Sequence, residues 1–498
     1  MSVEAHPAVV ATTAGRLQGT WAERAGVAVF RGVPFAAPPV GERRWREPEP
    51  AEAWDGVRSA VAFGADCPQA PYERSRANRM DEDCLTLNIW TPAVDRQAKL
   101  PVLVWFYGGS FLFGSASDPR SDGAELAARG AVVVTANYRV GLFGFLAHPG
   151  LSAASASATS GNYGLADNLA ALRWVQDNIE AFGGDPGRVT PFGVSAGSAS
   201  LGLLMTSPAA RGLFSRMILQ SPGAFRPLAP LADAEAAGLA LGPDIEALRS
   251  LDASEVLART ALLAPKVRSL TSHRVLRPIR DGVLVPADDR VAFGTGRFHA
   301  VPTLVGGMVD EGSKLVAAWP HATVADWDEL VAANFGTAAA EVAQHYRVAN
   351  DADVAGRVAE LFGDTQFTYG ARGIARGVAA RGVAAYRYLF TRRAGRGDGS
   401  GPHHGDCVPY VFGGVGRGDS GPYDEADAAL AERIGAAWVR FAATGDPNGA
   451  GLSGWAPYDP EADSHYELGD RCGPGSGWRR GALDFLDRFY EYGSPSPT

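Results

Sequence analysis

The sequence predicts an α/β fold, a large and mostly parallel central sheet flanked by helices, with helical insertions over one end. Three observations predict it. Residues 100–106 (LPVLVWF) and 131–136 (AVVVTA) are apolar without alternation, as strands buried on both faces are. Residues 164–182 place Leu165, Leu169, Leu172, Val175, Ile179 and Phe182 at three- and four-residue steps, the pattern of a helix laid on a sheet. Residues 188–200 (RVTPFGVSAGSAS) then read as strand, tight turn and helix. That order of elements gives a doubly wound parallel sheet.

The remaining elements follow in chain order. Residues 8–36 alternate around turn glycines, a hairpin followed by another strand. Residues 37–66 are Pro-rich and form an ordered surface wrap pinned by Trp45 and Trp54. Residues 85–90 alternate as a strand, 126–129 close a helix, and 137–145 form a loop with aromatic anchors. Residues 152–160 (SAASASATS) are low in complexity and read as a mobile surface loop. Strands follow at 217–221, 301–307 and 383–390, with a turn around Asp281-Gly282. Residues 230–270 and 324–382 are helical, and 395–401 are a Gly/Arg loop. A helix at 426–444 carries Leu430, Ile434, Ala437, Trp438 and Phe441 on one face. With no repeat and no polar linker, the expectation is a single catalytic domain over 1–498, with helical insertions at roughly 225–278 and 313–382.

Composition narrows the functional classes. The chain has 498 residues, 46% hydrophobic and 20% charged, so a large core is available and global disorder is excluded. A net charge of -9 without a Lys/Arg-rich block argues against nucleic acid as a partner. No run of 18 apolar residues predicts a membrane span. The first residues lack a basic segment followed by an apolar one, so the expected location is the cytoplasm. Four cysteines (Cys67, Cys84, Cys407 and Cys472) are too few for a disulfide scaffold and lack zinc-site spacing. The expected partner is a small molecule, and the expected state is a monomer or homodimer.

Gly193-Val194-Ser195-Ala196-Gly197 is a G-x-S-x-G turn, which lifts the Ser195 hydroxyl to the end of the sheet. A serine becomes nucleophilic only when a base takes its proton, and that base needs a carboxylate to fix its tautomer. Both must lie on loops after later strands, in the order Ser, acid, His. Of nine histidines, His403 and His404 stand apart. They sit in a Gly-rich loop after a late strand, whereas His6, His148, His273, His299, His321, His345 and His465 have ordinary surroundings. The residues alone do not choose between the pair. Glu311 is the acid candidate, with Asp310 beside it and Asp281 a weaker alternative. Gly108-Gly109-Ser110, after strand 100–106, is a turn able to offer backbone N–H groups to a developing oxyanion, joined by the N–H of Ala196. It is not a phosphate loop, because no Gly-Lys-Ser/Thr follows. Phe111, Phe113, Leu142 and Phe143 are candidate walls of an apolar pocket.

Together these pieces resemble the type B carboxylesterases, the cholinesterase-like branch of the α/β-hydrolases. The matching stretches include 30–36 (FRGVPFA), 82–90 (EDCLTLNIW), 105–111 (WFYGGSF), 137–141 (NYRVG), 182–186 (FGGDP), the turn at Ser195, 310–312 (DEG), 404–412 and 441–448, and they run from about residue 8 to 460. The resemblance implies ester hydrolysis through an acyl-enzyme, without metal or organic cofactor. It puts the nucleophile on Ser195, the acid on Glu311 and the base on His404, with oxyanion donors on Gly109, Ser110 and Ala196. It also implies a disulfide between Cys67 and Cys84, open in a reducing cytoplasm.

The chain departs from the family pattern at Val194 and Cys407, where acidic residues are usual, close to the serine that falls on Ser221, and these three join Phe111, Phe113, Leu142 and Phe143 as candidate pocket residues. A paired loss leaves no carboxylate buried alone. It predicts a less negative surrounding behind the histidine, with altered pH dependence or substrate preference. Ser110 replaces the usual third glycine of the oxyanion turn, and the loop between Cys67 and Cys84 lacks the tryptophan of a choline site. Two rival classes share these features. One is a hydrolase of an amide, carbamate, lactone or bulky xenobiotic or toxin ester. The other is a non-catalytic cholinesterase-like binding protein.

Overall fold

The computed structural model describes residues 7–22, 26–77, 79–263, 269–393, 401–416 and 423–492. The strands are β1 (Pro7–Ala11), β2 (Arg16–Ala22), β3 (Val27–Pro34), β4 (Val57–Ser59), β5 (Thr86–Thr91), β6 (Leu100–Phe106), β7 (Val132–Ala136), β8 (Gly184–Val194), β9 (Met217–Gln220), β10 (Thr303–Met308), β11 (Ala385–Phe390), β12 (Ser464–Leu468) and β13 (Gly473–Ser476). Among the described residues they form one sheet in the order β1-β2-β3-β5-β7-β6-β8-β9-β10-β11-β12-β13, with β4 alongside β2. From β7 through β12 every neighbour is parallel, while the two margins are antiparallel except where β4 runs parallel to β2. This is the mixed, mostly parallel sheet of an α/β-hydrolase fold.

The unbroken apolar strands are central for the expected reason. All of β7 and nearly all of β6 are buried, because helices cover both faces. Helix Tyr163–Asn178 packs on one face through Leu165, Leu169, Leu172 and Val175. Helix Glu425–Thr444 packs on the other through Leu430, Ile434, Trp438 and Phe441. Each large apolar side chain so buried contributes roughly 1.5–3 kcal/mol. One feature of the layout bears on the site. β6, β8, β10 and β11 all end at the same edge, so the loops after them converge there, as ligand sites in parallel sheets require.

Some segments differ from expectation. Residues 141–145, expected as loop, form a short helix, Gly141–Phe145, buried throughout. The 152–160 segment lies at the surface between Ala153 and Thr159, but its two ends, Ser152 and Ser160, are buried. Its start belongs to helix Pro149–Ala154, where His148 caps the end through Nδ1, accepting from Gly150 N at 3.0 Å. Ser160 is buried and its hydroxyl meets Ser152 Oγ at 2.8 Å. A hydroxyl-rich run can thus serve buried polar groups, and composition does not distinguish that from exposure. The Gly/Arg loop at 395–401 lies, apart from Gly401, outside the described residues. Beyond the last family-like motif, β12 and β13 extend the sheet. Helix Arg480–Tyr492 is tied down by Arg372, which holds Asp484 at 2.7 Å and Asp487 at 2.6 Å. No helix among the described residues is long and apolar enough to cross a membrane.

The loop after β7 is held by a buried ion pair. Arg139 Nη2 lies 2.7 Å from Asp167 Oδ1, and Asp167 Oδ2 also accepts from Arg139 N and Nε, with both side chains almost fully enclosed. Removing one partner strands the other charge, which costs about 3–5 kcal/mol. Asp167→Ala should therefore lower the urea unfolding midpoint by far more than a surface Asp→Ala control such as Asp328→Ala. An equal midpoint for the two variants would contradict the assignment.

Candidate active site

Ser195 sits at the end of β8, before helix Ala196–Thr206, with φ 55° and ψ -120°. A side chain rarely adopts this conformation, and here it is imposed by close crossing of the chain. A Cβ on Gly197 would stand 2.1 Å from Phe106 O and 2.5 Å from Tyr107 O, so only glycine lets the helix start against the end of β6. The turn after β6 comes equally close. A Cβ on Gly108 would stand 2.9 Å from Ser195 Cβ. Among the described residues no hydrogen bond engages the N–H of Gly109 or Ser110, and both residues line the same cavity as Ser195 and Ala196. Ser110 takes a positive φ of 57° in place of a glycine.

Glu311 follows β10 and is 3% exposed. Its Oε1 accepts from Ser221 Oγ at 2.6 Å and from Met308 N at 2.7 Å, which orients the carboxylate. Its Oε2 meets His404 Nδ1 at 2.5 Å. His404 Nε2 is buried, has no hydrogen-bond partner, and belongs to a side chain that lines the cavity with Ser195. The neighbouring pair does something else. His403 lies between Asp310 (3.6 Å) and Asp406 (3.5 Å), and Asp310 N donates to Pro402 O at 3.3 Å, so this pair braces one loop against the other. Asp281 is remote from these groups, bound to Asn162 at 2.7 Å and to the turn at Val283 and Val285.

The cavity measures about 630 Å³. Phe111, Phe113 and Val194 line it. Leu142 and Phe143 do not. They lie in the buried Gly141–Phe145 helix, where Trp45 Nε1 donates to Leu142 O and Phe143 faces Arg44. Ser221 and Cys407 are also not wall residues. Ser221 stands behind Glu311. Cys407 Sγ accepts from Gln220 Nε2 at 3.1 Å and shares an apolar cluster with Val194. The surroundings behind the histidine are therefore apolar, and burial pushes the Cys407 thiol up to about 12. Cys67 and Cys84 are buried free thiols, not joined as a disulfide, and Cys67 Sγ accepts from Val140 N at 3.4 Å.

Several wall residues were not legible in the sequence. A π-helical turn, Asp364–Thr368, interrupts the helices after residue 351 and presents Gln366 and Phe367 to the cavity. The Phe367 ring lies 4.2 Å from the His404 ring. Arg226 and Arg277 also reach the cavity. Their only sequence signal is an arginine set between large apolar residues and proline, in Phe225-Arg226-Pro227-Leu228 and Leu276-Arg277-Pro278-Ile279.

A glycine-flanked serine turn on a mostly parallel sheet, with a carboxylate and an imidazole on later loops, has the layout of the α/β-hydrolase fold. A sequence profile of the carboxylesterase family matches residues 6–479. The chain is 44% identical over 475 residues to fumonisin B1 esterase of Sphingopyxis macrogoltabida, covering 94% of this chain and 87% of that one. It is 34% identical to the para-nitrobenzyl esterase of Bacillus subtilis (strain 168), covering 91% and 93%. The solved carboxylesterase of Geobacillus stearothermophilus superposes with a TM-score of 0.82 at 35% identity, over 95% of this chain and 99% of that one. The chain belongs to the carboxylesterase family, a class of carboxylic ester hydrolases.

The thiols give a direct check. Cys67, Cys84 and Cys407 are buried and Cys472 is partly exposed. A disulfide-exchange reagent at pH 8 should titrate one thiol per native chain and all four cysteines in guanidinium. Two reactive thiols after denaturation, without reductant, would mean that Cys67 and Cys84 are bonded.

Proposed function

We propose that this protein is a serine carboxylesterase that cleaves esters to acid and alcohol through an acyl-enzyme on Ser195. The observation that carries the reading is the 2.5 Å contact between Glu311 and His404, with the other ring nitrogen of His404 unpartnered beside the Ser195 cavity. His404 Nε2 takes the Ser195 proton as Oγ attacks the ester carbonyl. The N–H groups of Gly109, Ser110 and Ala196 receive the developing oxyanion. The tetrahedral intermediate collapses, the C–O bond to the alcohol breaks, and His404 returns the proton to the departing oxygen. Water then attacks the acyl carbonyl and gives a proton to His404, and the second tetrahedral intermediate collapses as His404 returns that proton to Ser195 Oγ, releasing the acid and the free serine. Glu311 keeps Nδ1 protonated and stabilises the imidazolium throughout. No step calls for a metal or cofactor.

The cavity volume and the 44% identity to a fumonisin B1 esterase favour a bulky ester over a short simple one. We place fumonisin-type toxin esters among the substrates to be tried first.

Hydrolysis of p-nitrophenyl esters from acetate to octanoate, by wild type and Ser195→Ala in parallel, tests the reading. Turnover should fall by about 10⁴-fold or more in the variant. Glu311→Gln should lower kcat strongly with little change in KM, because it affects the protonation of His404 and not the fit of substrate. Equal activity of Ser195→Ala and wild type would refute the mechanism. Turnover of p-nitroanilides faster than esters would favour an amidase of the same fold.

A further inference from the structure

The cavity beside Ser195 is strongly basic in a chain of net charge -9. Arg74, Arg120, Arg226, Arg274, Arg277 and Lys314 line it, against Asp118 and Asp406. The two carboxylates are already engaged. Arg120 lies 2.7 Å from Asp118, and Lys314 lies 3.9 Å from Asp406. Arg74 is exposed to solvent. The deeper cations are placed differently.

Arg226 is only 5% exposed. Its guanidinium donates to Gln366 Oε1 and to the carbonyls of Ser269 (3.4 Å) and Ser272 (3.3 Å), all of them neutral. Its Nε is buried with no partner. The Arg277 guanidinium stands 5.4 Å over the Phe111 ring, and among the described residues neither a hydrogen bond nor an ion pair engages it. Arg274 completes the group, donating to Ser269 O at 2.7 Å. One acid, Asp289, shares the inner cleft with Arg226 and Arg277. It is turned to the N–H groups of Phe225 (3.0 Å) and Arg290 (2.9 Å), and burial pushes its carboxyl up to about 6. Burial, then Arg277 and Arg274, hold the Arg226 guanidinium well below its ordinary range. Burial, then Arg274, pushes Arg277 down to about 10.

Buried cations elsewhere in this chain are paired, Arg139 with Asp167 and Arg387 with Asp463, each at 2.7 Å. Arg226 is buried and Arg277 half-buried, and among the described residues neither has a carboxylate within hydrogen-bond distance; both line the space a substrate must enter. Such a site is costly when empty and is relieved by an anion that brings its own acceptors. The planar fork of a guanidinium matches the two oxygens of a carboxylate. A neutral ester would desolvate these groups further and return nothing, which turns the cost into discrimination.

We propose that Arg226 and Arg277, with Arg274 beside them, form a carboxylate-binding wall, and that the preferred substrates are esters bearing at least one free carboxylate besides the scissile bond. The inference rests on the esterase reading above and names its substrate class.

Two matched pairs test it at constant ionic strength. Monomethyl glutarate and methyl pentanoate differ by a carboxylate for a methyl in the acid half. 4-Acetoxybutanoate and butyl acetate differ likewise in the alcohol half. Wild type should prefer the anionic member of at least one pair by about tenfold or more in kcat/KM. That ratio should fall by about tenfold in Arg277→Met and recover in part in Arg277→Lys, whatever the absolute rates. A measurement needing no variant accompanies these. Glutarate, and not glutaramide, should compete with p-nitrophenyl butyrate for the wild-type enzyme. Absence of any anionic preference, with Ser195-dependent hydrolysis of p-nitrophenyl butyrate intact, overturns this inference alone. A preference that survives both Arg277→Met and Arg226→Met overturns the wall assignment. Inhibition by inorganic phosphate stronger than by glutarate overturns the carboxylate assignment in favour of phosphoryl groups. Failure to hydrolyse any ester overturns the reading beneath it.

Discussion

The geometry around Ser195 depends on how closely three pieces of backbone approach one another. β8 must end, the next helix must begin, and the loop leaving β6 must pass beside both within a few ångströms. Gly197 allows the helix to start against Phe106 O and Tyr107 O, and Gly108 allows the loop to touch Ser195. The positive φ of Ser195 is the result of this crossing and is held by it. The central strands supply the rigidity that such strain needs, since β6 and β8 are neighbours with helices on both faces. A hydroxyl lifted above the sheet edge, with unengaged N–H groups beside it, is thus a consequence of packing and not of the serine itself.

The second organising element is the carboxylate of Glu311. One oxygen is saturated by Ser221 and Met308 N, which leaves the other to face His404. Behind this pair the environment is apolar, made by Val194, Cys407 and their cluster. The neighbouring His403, Asp310 and Asp406 form a separate polar brace that fixes the spacing of the two loops. Two adjacent histidines and two adjacent acids therefore divide into a pair beside the cavity, Glu311 and His404, and a pair that joins the two loops, Asp310 and His403.

Buried charge is treated in two ways in this fold. Where it serves architecture, as in Arg139–Asp167, Arg387–Asp463 and the anchors of the last helix on Arg372, each ion has its counter-ion within hydrogen-bond distance. Along the inner cavity wall the arginines meet neutral acceptors and an aromatic face. The contrast separates groups satisfied by the protein from groups left to be satisfied by something that binds.

Local pattern carried much of this protein. Unbroken apolar runs, a helix face at 3.6-residue spacing and a glycine-flanked serine depend only on neighbours in sequence, so they located the central sheet, its covering helices and Ser195. The candidate acid and base loops were likewise legible, because they follow late strands and are rich in glycine. What the sequence did not determine depends on contacts between residues far apart. Residues 152–160 are polar and small throughout, and only the partners of His148 and Ser160 decide that the two ends are buried while the middle stays at the surface. Leu142 and Phe143 are apolar enough for a pocket wall, yet the helix they occupy turns them into the core. The π turn that brings Phe367 to His404, and the convergence of Arg226 with Arg277, join residues 37 and 51 positions apart in the chain. Periodicity and composition have no access to such distances. Tertiary packing alone set which cations were left facing the cavity, because an ion's partner is chosen in space and not along the chain.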